Sequence, residues 1–342
     1  MNTDEQEITD QDELYEHHRF VIENGQALTR IDKYLFNHMP NVSRNRLQIA
    51  CDAGNVIVNG KEVRSSYKVK PKDTIQIVLP HPVREKELIP QDIPLNILYG
   101  DEDIIIINKQ AGLVVHPAFG NYSGTLMNGL LFHFQKLPAS KGNMDRPGLV
   151  HRIDKNTSGL LVIARSEIAM NHLAKEFFER TIDRKYIALV WGDFKEDEGT
   201  ITGNVGRNLK DRKIMDVFPE GDQGKHAVTH YKVIERFGYV TLIECKLETG
   251  RTHQIRVHLK YIGHPLFNDE TYGGNKILKG TTFTKYKQFI ENCFEILPRH
   301  ALHAKTLGFT HPTTHKKVFF ESPLPDDFIK LLEKWRNYSK NK

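Results

Sequence analysis

The chain's 342 residues suffice for one large and one small domain, each with its own core. Hydrophobic residues make up 39% and charged residues 27%, and no apolar run reaches the length of a membrane span, so no membrane partner is expected. Cys51, Cys245 and Cys293 form no CxxC pair and the N-terminus lacks the basic start of a secretory leader, which argues for reduced thiols in the cytoplasm and against a disulfide framework.

Net charge is +5, unevenly spread. Residues 1–24 carry eight acids against Arg19, leaving +12 on the remainder. Such a body favours a polyanion. Residues 1–24 read as an acidic mobile tail and 336–342 as a short basic one.

From residue 25 to 82 the pattern predicts a small α/β module. Leu28, Ile31, Leu35 and Met39 recur at helical spacing before Pro40, and Ser43 can cap a second helix that ends at Gly54. Val56 and Val58 alternate into Asn59-Gly60, a tight-turn signal, and Ile75, Ile77 and Leu79 supply a later strand. Arg30-Ile-Asp, Ser43-Arg44 and Val56-Ile-Val-Asn-Gly60, in that order, resemble the S4-type RNA-binding module. Arg30, Lys33, Arg44, Arg46 and Lys61 are then the expected phosphate contacts.

Prolines at 80, 82, 90 and 94 mark a linker over residues 83–95. Residues 96–335 read as an α+β domain built on largely antiparallel sheet. Strands are expected at 103–107, 160–164, 185–190 and 239–244, and helices near 167–180, 252–262 and 326–337. Residues 271–300 read as an irregular surface insertion.

Three stretches carry chemistry. In Pro147-Gly-Leu-Val-His-Arg-Ile-Asp-Lys-Asn-Thr-Ser-Gly159 a polar loop leads into an apolar strand. Asp154 there is flanked by His151, Arg152 and Lys155, whose charge should keep it ionised. Such a carboxylate can attack a sugar carbon, act as a base, or merely cap an Asx-turn. In Thr249-Gly-Arg-Thr-His-Gln-Ile-Arg256 the side chains of Arg251, His253, Gln254 and Arg256 cluster at a helix start and could grip a carboxylate or phosphate. In Arg184-Lys-Tyr-Ile-Ala-Leu-Val190, Tyr186 could stack on a nucleobase or sit in the core as an ordinary tyrosine.

Together, His151-Arg-Ile-Asp154 with Thr157-Ser-Gly-Leu-Leu161, Lys185-Tyr-Ile-Ala188 and Gly250-Arg-Thr-His-Gln-Ile-Arg256 resemble the ordered motifs of the RluA-type pseudouridine synthases, with Ile153 where leucine is usual. The resemblance implies isomerisation of uridine in RNA: the bond from uracil N1 to ribose breaks, the base rotates, and it rejoins through C5. Asp154 would be the catalytic aspartate, Arg256 its salt-bridge partner and Tyr186 the residue against the base. Arg152 would fill the gap left by the flipped nucleotide, with His151, Thr157, Arg251, His253 and Gln254 also at the RNA. No metal or other cofactor is expected, and the expected partner is large-subunit ribosomal RNA, then transfer RNA, bound by a monomer that ignores DNA. Two rivals are a zinc hydrolase using His253, His258, His264, His300 and His303, which match no ligand spacing, and an RNA-binding ribosome-assembly factor on a retired synthase fold.

Overall fold

A computed structural model describes residues 15–39, 42–79, 88–117, 121–134, 136–139, 146–211 and 214–340. The chain divides into two compact units, residues 1–87 and 88–342.

The first unit contains β1 (Tyr15–Val21), α1 (Ile31–His38), α2 (Arg44–Asp52), β2 (Val56–Val58), β3 (Lys61–Glu62) and β4 (Thr74–Leu79), with sheet order β1-β4-β2-β3. Ser43 caps α2 by accepting from the Arg46 backbone N–H. Asn59 and Gly60 both have positive φ, 50° and 79°, as a tight hairpin turn between β2 and β3 demands. Ile31, Leu35, Leu47, Val56 and Ile75 close its core. The tail expected over residues 1–24 is corrected from Tyr15 onward, because that segment pairs antiparallel with β4; residues 1–14 lie outside the described residues, as do Pro40, Pro80 and Pro82. Leu28, expected on the first helix, precedes it and is exposed.

The second unit contains β5 (Ile97–Gly100), β6 (Ile104–Lys109), α3 (Leu126–His133), β7 (Ser158–Ala164), α4 (Glu167–Glu179), β8 (Asp183–Trp191), β9 (Glu198–Thr202), β10 (Asn204–Arg207), β11 (Met215–Phe218), β12 (Val228–Arg236), β13 (Val240–Leu247), α5 (Gln254–Tyr261), α6 (Thr284–Ile296), β14 (Leu302–Thr310), β15 (Lys317–Glu321) and α7 (Asp326–Lys340). Its main sheet runs β5-β6-β7-β14-β8-β13-β12-β9, with β15 on β14. Only the β7–β14 pairing is parallel among these ladders.

The continuous apolar runs of β6, β7 and β8 are buried on both sides, so alternate residues enter two different cores. Ile105, Ile107, Leu161, Ile163, Tyr186 and Ala188 pack with Leu126 and Leu130 of α3 and Ile255 and Leu259 of α5. Ile104, Ile106, Leu160 and Val162 pack with Ala169 and Leu173 of α4, while Ile187, Leu189 and Trp191 meet α6 and α7 through Ile290 and Trp335. Residues 271–300 are therefore no mere insertion: α6 buries Tyr286, Ile290 and Cys293. The basic tail expected at 336–342 is corrected over 336–340, since α7 continues to Lys340 and Arg336 holds Glu235 at 2.8 Å; residues 341–342 lie outside the described residues.

Candidate active site

Asp154 sits in the loop that enters β7, and several distant groups fix that loop. Thr157 N–H donates to the Asp154 carbonyl at 3.1 Å, closing a turn. The Thr157 hydroxyl meets His300 Nε2 at 2.9 Å. The buried ammonium of Lys109 donates to the carbonyls of Gln110, Leu113 and Lys155 at 2.8–2.9 Å. Gly159 has φ +109°, and a Cβ there would lie 2.2 Å from the Ala304 carbonyl oxygen, so only glycine lets β7 approach β14 this closely.

Arg256 arrives from the first turn of α5. Its Nη1 donates to Asp154 Oδ2 at 3.2 Å. Nε and Nη2 each donate to the Asp269 carboxylate at 2.8 Å, a bidentate pair. The guanidinium lies 5.0 Å from the centre of the Tyr272 ring. His253 precedes α5 in left-handed backbone, φ 56°, with Nε2 3.9 Å from Asp154 Oδ2 and Nδ1 2.9 Å from the Tyr272 hydroxyl.

Burial alone would raise the pKa of Asp154, but His253 when protonated and the permanent charge of Arg256 outweigh it, and the carboxyl titrates below the ordinary aspartate value. The source of that charge differs from the expectation. His151 is pushed down to about 3 by burial and by Arg184. Its Nε2 accepts from the Val162 N–H at 3.0 Å and its ring stacks on Phe177 at 4.6 Å. The ring is neutral, so His151 supplies Asp154 with no charge; Nε2 holds the loop to β7, while Nδ1 is buried without a hydrogen-bond partner among the described residues. Charges remote in sequence, Arg256 above all, lead in holding the aspartate ionised.

Asp154 borders two cavities. One, of about 300 Å³, is lined by Arg152, Asp154, Phe177, Arg184, Tyr186, Leu247, Gly250, Arg251 and Arg256. The other, of about 420 Å³, is lined by Arg152, Asp154, Asn268, Asp269, Arg299 and His300. Tyr186 is only 7% exposed, and burial raises its hydroxyl pKa. Arg152 is exposed beside both cavities.

Two other expected RNA contacts are corrected. Gln254 is buried, receiving the Thr249 hydroxyl and the Arg251 N–H while donating to the Val228 carbonyl and the Thr229 hydroxyl, so nothing remains for a ligand. Thr157 is likewise buried against His300. Arg251 donates Nε to the His226 carbonyl and stays half-buried at the cavity. The reading from motifs missed Asp269 and Lys109. Asp269 follows an apolar Leu266-Phe267 pair in no motif; the one available signal was Arg256, a cation on a buried helix face that needs a buried carboxylate.

The five histidines considered for a zinc site have separate partners: His253 on Tyr272, His258 on Thr229, His264 on the Trp191 carbonyl, His300 on Thr157 and His303 between Ser158 and Ser322. Among the described residues, Asp101, Asp103 and His311 are the one group spaced for a metal. Asp101 already accepts from Tyr99, His311 and two backbone N–H groups, which marks a hydrogen-bonded corner.

In the first unit, Asp32 is fully buried and gathers Arg30, Arg44 and Gln48 at 2.9–3.2 Å. Those bonds outweigh burial and lower its pKa. Lys33, Arg46 and Lys61 are exposed.

A small basic module and a mixed-sheet domain whose cleft holds an arginine-paired aspartate beside a tyrosine define an RNA-modifying enzyme. The sequence matches the RNA pseudouridylate synthase family over residues 103–261 and the S4 domain over 29–75. It is 48% identical to an uncharacterized RNA pseudouridine synthase of Chlorobaculum parvum, over 91% of this chain and 95% of that one. Identity is 41% to the ribosomal large subunit pseudouridine synthase D of Zymomonas mobilis, over 89% and 93%. The solved human RNA pseudouridylate synthase domain containing 4 shares the fold, with TM-score 0.50 and 24% identity over 70% of this chain and 93% of that one. The chain belongs to the RNA pseudouridine synthase family and is an isomerase of that kind carrying an S4 domain.

Proposed function

We propose that this enzyme isomerises uridine in large-subunit ribosomal RNA, with Asp154 as its catalytic group. The observation carrying the site assignment is the Arg256–Asp154 hydrogen bond at 3.2 Å inside a cavity large enough for one nucleotide. The pair keeps an ionised carboxylate ready to attack C1′ or to take a proton from the ribose; both routes use the charged form. Tyr186 lies against the flipped base and Arg152 fills the vacated stack, offsetting the few kcal/mol that eversion costs. Relatives named as ribosomal large subunit synthases support the substrate, and the S4 domain supports an RNA grip through Lys33, Arg46 and Lys61, with Arg30 and Arg44 at its edge.

In this reading the enzyme works as a cytoplasmic monomer, without a cofactor and without DNA as a partner. No helix among the described residues is long and apolar enough to cross a membrane. The test is pseudouridine mapping of RNA from a deletion strain, complemented with the natural enzyme or with Asp154→Asn. Sites should vanish from large-subunit ribosomal RNA and return only with the natural enzyme. Loss confined to transfer RNA would overturn the substrate; rescue by Asp154→Asn would overturn the residue.

A further inference from the structure

Arg184 is 9% exposed at the wall of the 300 Å³ cavity, and its Nε is buried with no hydrogen-bond acceptor among the described residues. Among the described residues no carboxylate pairs with it; its neighbour Asp183 is 3.4 Å from Lys246 instead. The guanidinium rests 5.2 Å from the centre of the Phe177 ring, an apolar support. Gly250 keeps space open beside it, since a Cβ there would lie 3.1 Å from Nη1. A buried guanidinium without a counter-ion is costly, and sites retain such groups where a ligand supplies the missing charge.

Position identifies that ligand. Arg184 and Tyr186 are alternate residues of β8, so their side chains share one face of the sheet, roughly 7 Å apart. A base lying against Tyr186 therefore brings its carbonyl edge within reach of the Arg184 donors. Resting on the site assignment above, we infer that Arg184 is a further catalytic residue, which binds the detached uracil as an anion through its O2 or O4.

The bond changes require such a group. When C1′–N1 breaks, the electron pair stays on N1 and spreads onto O2 and O4. The balancing change at the ribose is either an ester bond from Asp154 to C1′ or transfer of a ribose proton to Asp154. The ring then rotates and C5 bonds to C1′, the Asp154 ester or proton transfer being reversed. The C5 proton leaves and N1 gains one, so the product is an isomer. Negative charge on the ring exists only between these events, and a cation already fixed in the cavity stabilises it without reorganisation.

The experiment uses the full chain and a stem-loop carrying the uridine that mapping identifies, made with uridine or with 5-fluorouridine, whose fluorine stabilises the ring anion by itself. Arg184→Gln and Arg184→Met should slow single-turnover glycosidic cleavage of the uridine RNA about 100-fold. RNA affinity and its salt dependence should stay unchanged, and the deficit should shrink at least severalfold with 5-fluorouridine. Melting temperature should hold or rise, because an uncompensated buried charge is removed. Equal deficits in the two RNAs overturn the proposal. So does weaker binding with a smaller salt slope, which would reassign Arg184 to a backbone phosphate, and so does a variant that melts early or fails to fold, which would make it a packing residue. Asp154→Asn is measured beside them; if it cleaves at full rate, the site assignment fails instead.

Discussion

Asp269 takes the Nε and Nη2 of Arg256 in a bidentate grip, both bonds 2.8 Å long, and so aims the remaining Nη1 at Asp154. Asp269 is 1% exposed and Arg256 5%. The second carboxylate orients the arginine that orients the first.

Lysine in place of Arg256 cannot span two carboxylates with a planar fork. Arg256→Lys should lower kcat about 100-fold through displacement of Asp154, with RNA affinity nearly intact. Asp269→Ala leaves a buried guanidinium half-paired and should cost about 3–5 kcal/mol of stability as well as turnover. Single-turnover kinetics and thermal melts check both; an Asp269→Ala enzyme of natural stability and rate would contradict the orienting role.

Stability should fall as pH drops below about 6.5. His151 and His300 are pushed down to about 3 and His303 to about 4, each chiefly by burial, while the unfolded chain binds these protons near 6.5. Between those limits the unfolded state holds more protons, so acid favours unfolding. Asp154 has the depressed pKa usual for a paired carboxylate, and its contribution persists until pH passes below the ordinary aspartate value. Denaturant titrations at several pH values should show uptake of at least three protons on unfolding near pH 5, since burial lowers His253 and His258 as well. His300→Gln should remove about one of them.

Gln254 is predicted to be structural. Gln254→Ala removes the acceptor of the Arg251 N–H and of the Thr249 hydroxyl, and should destabilise the enzyme by about 2–4 kcal/mol. The salt dependence of RNA binding should not change. A shallower salt slope in a well-folded variant would restore the residue to the RNA surface.

In the S4 domain the basic residues should separate into two groups. Lys33→Ala, Arg46→Ala and Lys61→Ala should each weaken RNA binding and reduce the salt slope by about 1, at unchanged melting temperature. Arg30→Ala and Arg44→Ala should in addition lower the melting temperature of the module, because they help neutralise buried Asp32. Equal behaviour of all five would refute that division.

What the sequence determined by itself is what neighbours within a few residues decide. Ser43 caps α2 because its hydroxyl reaches the N–H three residues on. Asn59-Gly60 turns a hairpin because both tolerate positive φ. The runs at 104–107 and 160–164 are strands because they can be buried on both faces. Motif order, read through family resemblance, added the Asp154–Arg256 pairing across 102 residues.

Only the tertiary structure decided the rest. β1 lay within an acidic segment with no strong periodicity of its own and acquires order by pairing with β4, some sixty residues away. α6 takes its place by packing beside Trp191 of β8 and Trp335 of α7, partners that lie outside residues 271–300. His151 and Gln254 carry the right chemistry for RNA, yet point into the protein, because the direction of a side chain depends on which backbone groups the fold leaves in need of a partner. Asp269, Lys109 and the uncompensated Arg184 belong to the same class: burial and charge pairing are properties of assembled surfaces, and no local stretch of chain encodes them alone.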